Sequence, residues 1–137
     1  MRILVVGAGG VGSAVVPTAV RRDFFEHLVI ADYDAERAES IVRKANDRRV
    51  EAAFIDASSR ELIASLITEK RITHVLNAVD PRFVMPIFDA CLEAGADYLY
   101  MAMSLSKPDP QRPYELPGVK LGDEQFAKAD AWSKAGR

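Results

Sequence analysis

A doubly wound α/β fold, with five parallel strands in the order 3-2-1-4-5 and helices on both faces, is predicted by three features of the sequence. Short apolar runs alternate with helical patterns along most of the chain, which is how successive βαβ units read. The opening run Arg2-Ile3-Leu4-Val5-Val6 leads straight into a glycine-rich turn, Gly7-Ala8-Gly9-Gly10-Val11-Gly12. A second apolar run, Leu28-Val29-Ile30-Ala31, ends on an acid, Asp32.

The elements follow in order. Strands are predicted at 2–6, 28–31, 51–55, 74–79 and 98–102. The first helix spans 10–21 and carries Pro17, whose missing N–H removes one hydrogen bond. Asp34 caps a second helix over 35–45, which ends among Arg43, Lys44, Arg48 and Arg49, a basic end matched to the helix dipole. Ser58, followed by Glu61, reads as a capping box for the third helix, with Leu62, Ile63, Leu66 and Ile67 as its buried stripe. Asp80 caps the fourth helix, Pro81 takes its first position and Gly95 lies just past its end. Cys91 shares a face of this helix with Val84, Ile87 and Phe88 and reads as inert packing; a single cysteine also excludes an internal disulfide. Pro108, Pro110, Pro113 and Pro117 forbid regular structure across 103–122, and a stretch of that length is usually functional or mobile. A last helix, capped by Asp123, runs to Ala135 with Phe126, Ala129 and Trp132 on one side.

In such a sheet, ligands bind beyond the carboxyl ends of the strands where the strand order reverses, here between strands one and four. The glycine turn sits there. Gly7 allows the tight turn, Gly9 lets the backbone approach a pyrophosphate, and Gly12 lets the helix pack on the first strand. The helix opened by Gly9-Gly10-Val11 then aims unpaired N–H groups at the phosphates. Asp32 is placed to accept hydrogen bonds from the adenosine ribose, which favours NAD over NADP because a carboxylate repels a 2′-phosphate; Arg37, one turn into the second helix, can neutralise that phosphate and admit NADP. Tyr33 follows Asp32 at the same edge. Asp56 and Ala57, after Phe54-Ile55, fall where adenine is held, although Asp56 can equally serve the entry of the next helix. Asn77, Ala78 and Val79, at the end of strand four, fall near the phosphates and the nicotinamide ribose; a buried Asn77 satisfied by the protein is the competing reading.

At 137 residues the chain buries enough surface for one core. A net charge of −2, with both signs interspersed, supplies no basic stripe for nucleic acid or anionic lipid. No apolar run reaches the length of a membrane span and none carries a cleavage pattern, so a cytoplasmic protein is expected. No catalytic set can be assembled. His27 and His74 fall at strand entrances, away from the crevice. A Tyr-x-x-x-Lys pair is absent, since Tyr33, Tyr98, Tyr100 and Tyr114 lead to Arg37, Ala102, Ser104 and Gly118, and no Cys/His spacing suits a metal.

The runs MRILVVGAGGVGSAVVPTAVRR, ADYDAERA, IDASS, HVLNAVDPRF and AGADYLYMAMS resemble the saccharopine dehydrogenase-like family over nearly the whole chain. That resemblance implies a Rossmann domain and an oxidoreductase that makes or breaks a C–N bond at an amino acid with a nicotinamide cofactor. It maps the cofactor contacts onto the Gly7 to Gly12 turn, Asp32, Asp56-Ala57 and Asn77-Ala78. Many members carry an acid where this chain has Tyr100. The resemblance further implies a second domain, outside residues 1–137, that supplies the substrate contacts, so the cofactor domain by itself is expected to be inactive. An unpaired sheet edge leads to the expectation of a homodimer. A non-catalytic nucleotide-sensing module is the other class with the same turn and acid; the proline-rich stretch and the Asp80-Pro81 helix start favour the enzyme.

Overall fold

A computed structural model describes all 137 residues. The sheet has five parallel strands in the order β3-β2-β1-β4-β5. In chain order the elements are β1 (Arg2–Val6), α1 (Gly10–Ala19), β2 (His27–Asp32), α2 (Ala35–Ala45), β3 (Val50–Phe54), α3 (Arg60–Glu69), β4 (His74–Asn77), α4 (Val84–Ala94), β5 (Asp97–Leu99), α5 (Asp123–Phe126) and α6 (Ala129–Lys134), with a 3₁₀ turn at Pro81–Phe83 leading into α4.

Alternate strand residues point to opposite faces, and each face has its own core. Leu4, Val6, Val29, Ala31 and Val75 meet Ile63, Ile67, Ile87 and Cys91 on the α3/α4 side. Val5, Leu28 and Ile30 meet Val16, Ala19 and Ala38 on the α1/α2 side. Ile63 and Ile67 are fully sealed, each contributing about 2 kcal/mol of transfer free energy. Leu62 does not share their stripe and is 49% exposed.

Several boundaries differ from the sequence reading, each for a local reason. β4 stops at Asn77, short of the expected residue 79, because the Asn77 Oδ1 accepts the Val79 N–H (3.0 Å) and turns the chain. β5 stops at Leu99, which pairs with Leu76, because β4 offers little ladder beyond that point. Ser59, not Ser58, caps α3 through the Leu62 N–H, since the Asp56 carboxylate has already taken the N–H and hydroxyl of Ser58 (2.9 and 2.6 Å). The proline-rich stretch is not wholly irregular: Lys107 and Val119 form an antiparallel bridge. Gly118, at φ +58°, lies so close to the Lys107 carbonyl that a Cβ would sit 2.3 Å from it. The last helix is broken. Gly122 (φ +84°) precedes α5, the Asp123 carboxylate accepts the Lys120 N–H, and the chain leaves helical geometry at Lys128. As a result Trp132 packs on Phe88, with ring centroids 4.7 Å apart, while Phe126 faces solvent.

Candidate dinucleotide site

β1 and β2 carry their apolar residues inward as far as the Val6–Ala31 pair, where β1 ends, and β2 runs one residue further to Asp32. The chain then turns at Gly7, whose φ of +107° is open to glycine and strained for other residues. Glycine is required here on a second ground. A Cβ at Gly7 would lie 2.6 Å from Val79 Cγ1 and 2.9 Å from the Ala78 carbonyl oxygen. At Gly12 it would lie 1.8 Å from the carbonyl oxygen of Gly7 itself. Gly7 and Gly12 therefore hold α1 against the sheet. At Gly9 and Gly10 an added Cβ meets nothing within 4 Å, so these two leave open space in front of the α1 N-terminus. Gly9 caps that helix without a side chain, and the first N–H groups of the helix have no partner along it. Val11 lies one residue into α1 and is 43% exposed.

Asp32 closes the turn from the neighbouring strand. Its Oδ2 accepts the Ala8 N–H at 2.6 Å and its Oδ1 accepts the Asp34 N–H at 2.9 Å. Asp34 in turn caps α2 by accepting the Arg37 N–H. The Arg37 guanidinium stands 3.7 Å from Asp32 and 3.6 Å from Asp34. Lys44 and Ser40, farther along α2, share a polar recess of about 370 Å³ with Ala8, Ser13 and Arg37.

Gly7, Asp32, Tyr33, Asp56, Ala57 and Val79 line one crevice of about 320 Å³ together with Val6, Ile55, Ser58 and Phe83. Two polar or aromatic members of this group were not predicted as site residues from the sequence. Phe83 enters from the 3₁₀ turn before α4, and Ser58 enters as the partner of Asp56. Its two hydrogen bonds from Ser58 lower the Asp56 pKa, so the helix-entry role of this carboxylate and its place on the crevice wall coexist. Tyr33 is 73% exposed and its ring leans on Phe54, 56% exposed, with centroids 5.5 Å apart. Phe54 is the register partner of Asp32, a pairing that only the sheet order reveals. Asn77 is completely buried. Its amide serves the Val79 N–H and the Tyr98 hydroxyl, both groups of the protein. Ala78 donates its N–H to the Val6 carbonyl.

Both histidines lie at the other end of the sheet, at the starts of β2 and β4. Burial pushes the Cys91 thiol up to about 12, which keeps it a protonated packing group. No set of three or more His, Cys, Asp or Glu side chains is gathered as a metal site, and no helix is long and apolar enough to cross a membrane.

A strand, a glycine turn, an open helix N-terminus and an acid at the second strand end, joined at the switch point of a 3-2-1-4-5 sheet, define a nicotinamide-dinucleotide-binding Rossmann domain. Residues 3–137 match the family model described as saccharopine dehydrogenase NADP binding domain, and the chain belongs to that family. A carboxyaminopropylagmatine dehydrogenase from Synechocystis sp. is 30% identical over 137 residues, an alignment covering 98% of this chain and 32% of the relative. A carboxynorspermidine synthase from Vibrio cholerae is 29% identical, covering 99% and 34%. The chain thus spans about a third of the length of these curated relatives. Among solved structures, saccharopine dehydrogenase from Saccharomyces cerevisiae superimposes with a TM-score of 0.63 at 15% identity, covering 80% of this chain and 22% of that one, a likeness of fold.

Proposed function

We propose that this chain is the cofactor half of an oxidoreductase that makes or breaks a C–N bond at an amino acid or its imine, with NAD preferred over NADP. The cofactor supplies hydride transfer at such a bond. The residues of this chain hold it: the α1 N-terminus with Gly9 and Gly10 receives the pyrophosphate, Asp32 the adenosine ribose, and Tyr33, Asp56 and Ala57 the adenine. Ala78 and Val79 form the wall toward the nicotinamide ribose, braced by Asn77. The observation that carries the reading is Asp32, buried apart from 12% of its side chain and already anchoring the Ala8 and Asp34 amides, at the mouth of an otherwise open phosphate site. Asp32 also lines the crevice.

The two relatives are named for acting on carboxylated amines and support an amine or amino-acid substrate for the whole protein. No histidine reaches the crevice, which supports a second region of the whole protein as the source of substrate contacts and proton transfer, with residues 1–137 binding cofactor and turning over nothing. An unpaired β5 edge with Leu99 and Met101 exposed supports a homodimer, to be checked by sedimentation.

Calorimetric titration with NAD and NADP tests the reading. Both should bind, NAD several-fold more tightly, and in Asp32→Ala the ratio of the two dissociation constants should fall toward unity. Absence of dinucleotide binding by the parent chain would overturn the function; a parent preference for NADP would overturn the role of Asp32 and hand selection to Arg37.

A further inference from the structure

The wall of the crevice on the β4 side is a loop, and loops hold a ligand well only where something fixes them. Here the fixing groups are visible. Val79 is bonded at both of its backbone polar atoms. Its N–H donates to Asn77 Oδ1 (3.0 Å), and its carbonyl accepts from the Tyr100 hydroxyl (2.6 Å). Asn77 is itself held by the Tyr98 hydroxyl at 3.0 Å. The Val79 side chain, pinned in this way, lies over Gly7 in the space a Cβ would need and faces the crevice shared with Asp32.

We propose that Tyr100 is a positioning residue for dinucleotide binding: its hydroxyl fixes the Val79 carbonyl and so sets the distance between the β4 wall and the glycine turn. The inference rests on the dinucleotide reading above. Tyr100 lies beyond the end of β5, so no ladder hydrogen bond explains its orientation. Its hydroxyl is a donor at neutral pH as in any tyrosine, and burial with the nearby Asp80 carboxylate raises its pKa further. A phenylalanine there would keep the ring packing and lose only the bond.

The test compares dissociation constants for NAD or NADP, whichever the parent binds more tightly, at a temperature well below every melting transition. Tyr100→Phe should raise the constant about fivefold, the effect of one ordinary hydrogen bond. Val79→Ala should raise it by a similar factor, and adding Tyr100→Phe to Val79→Ala should change nothing more, because the wall that Tyr100 positions is gone. A purely structural Tyr100 would lower the melting temperature and leave affinity unchanged in the folded protein, and that result overturns the proposal. So does a loss of the same factor on the Val79→Ala background. A constant for Val79→Ala equal to the parent's likewise removes the wall from binding and the proposal with it. A parent that binds no dinucleotide defeats the underlying reading, an outcome distinct from any difference between variants.

Discussion

At the amino-terminal edge of the sheet, charged side chains pair mainly with one another, although Arg2 also donates to the Lys70 carbonyl. Arg2 donates to His27 Nδ1 at 3.0 Å, which leaves the opposite nitrogen, 3.0 Å from Glu51, to carry the proton toward that carboxylate. Lys70 completes the pair with Glu51 at 2.7 Å, and Asp97 is shared by His74 and Arg137. At the carboxyl-terminal edge, the charged side chain nearest the turn is bonded chiefly to backbone: Asp32 takes two amides, while Arg37 stays at 3.7 Å. One end spends its charged groups mainly on one another. The other organises a turn with them and leaves N–H groups and a carboxylate face open to a ligand. Stability and binding are therefore separable along the strand axis, and substitutions at the two ends should report on different quantities.

Gly12→Ala marks the limit of that division, because it lies at the binding end yet should act on folding. The new Cβ would sit 1.8 Å from the Gly7 carbonyl oxygen, a backbone atom that no rotamer change can remove. Overpacking of this kind costs about 3 kcal/mol or more, a large part of the stability of a small domain. Chemical denaturation should show the loss directly. A variant as stable as the parent would mean that α1 can slide on the sheet and that the inner glycines are not structural.

Gly9→Val makes the opposite claim two residues from Gly7. Its Cβ meets nothing within 4 Å, so unfolding free energy should change by about 1 kcal/mol or less, chiefly through a poorer helix cap. Dinucleotide affinity should fall by roughly a hundredfold or more, since the branched side chain fills the approach to the helix N–H groups. Binding equal to the parent's would place the phosphates elsewhere.

How much of this was legible in the sequence follows the same axis. The strands, the turn at Gly7 and the cap at Asp34 were readable because each depends on a short run of residues whose period or backbone demand is local, and the strand order followed from the fold class that the glycine turn and acid signal. The division of labour among the glycines was readable only in part: sequence spacing gives their order, while the contact of Gly12 with Gly7 and the emptiness around Gly9 need coordinates. Phe54, Phe83 and Tyr100 carried no signal as site residues: Phe83 reaches the crevice, Phe54 meets Tyr33 and Tyr100 meets the Val79 carbonyl only through a register or a loop that brings distant residues together. Asn77 shows the limit plainly. Its place at the end of β4 was foreseen, and its partner Tyr98 could not be, because the contact depends on the register of β5 against β4. The final helix failed for a related reason: a helical pattern over 123–135 concealed the break at Lys128, which lets Trp132 reach Phe88.

The smallest expected effect belongs to the amino-terminal edge and sharpens the comparison from that side. Burial alone would raise the Glu51 pKa, but the hydrogen bond and charge of Lys70, with His27 beyond it, hold it below its ordinary value of 4.5. A carboxylate depressed in the folded state stabilises the protein above its unfolded pKa and loses that contribution as pH falls through the folded value. Glu51→Gln should therefore cost about 1 kcal/mol or less at neutral pH, the range for an ion pair this accessible, and the difference from the parent should close as pH drops below about 4.5. Dinucleotide affinity at neutral pH should be unchanged. Urea melts across pH, paired with one titration at neutral pH, measure both. A gap that persists in acid would show that Glu51 contributes through packing rather than charge, and a clear loss of affinity would show that the two edges are coupled through the strands, joining the functions that the geometry keeps apart.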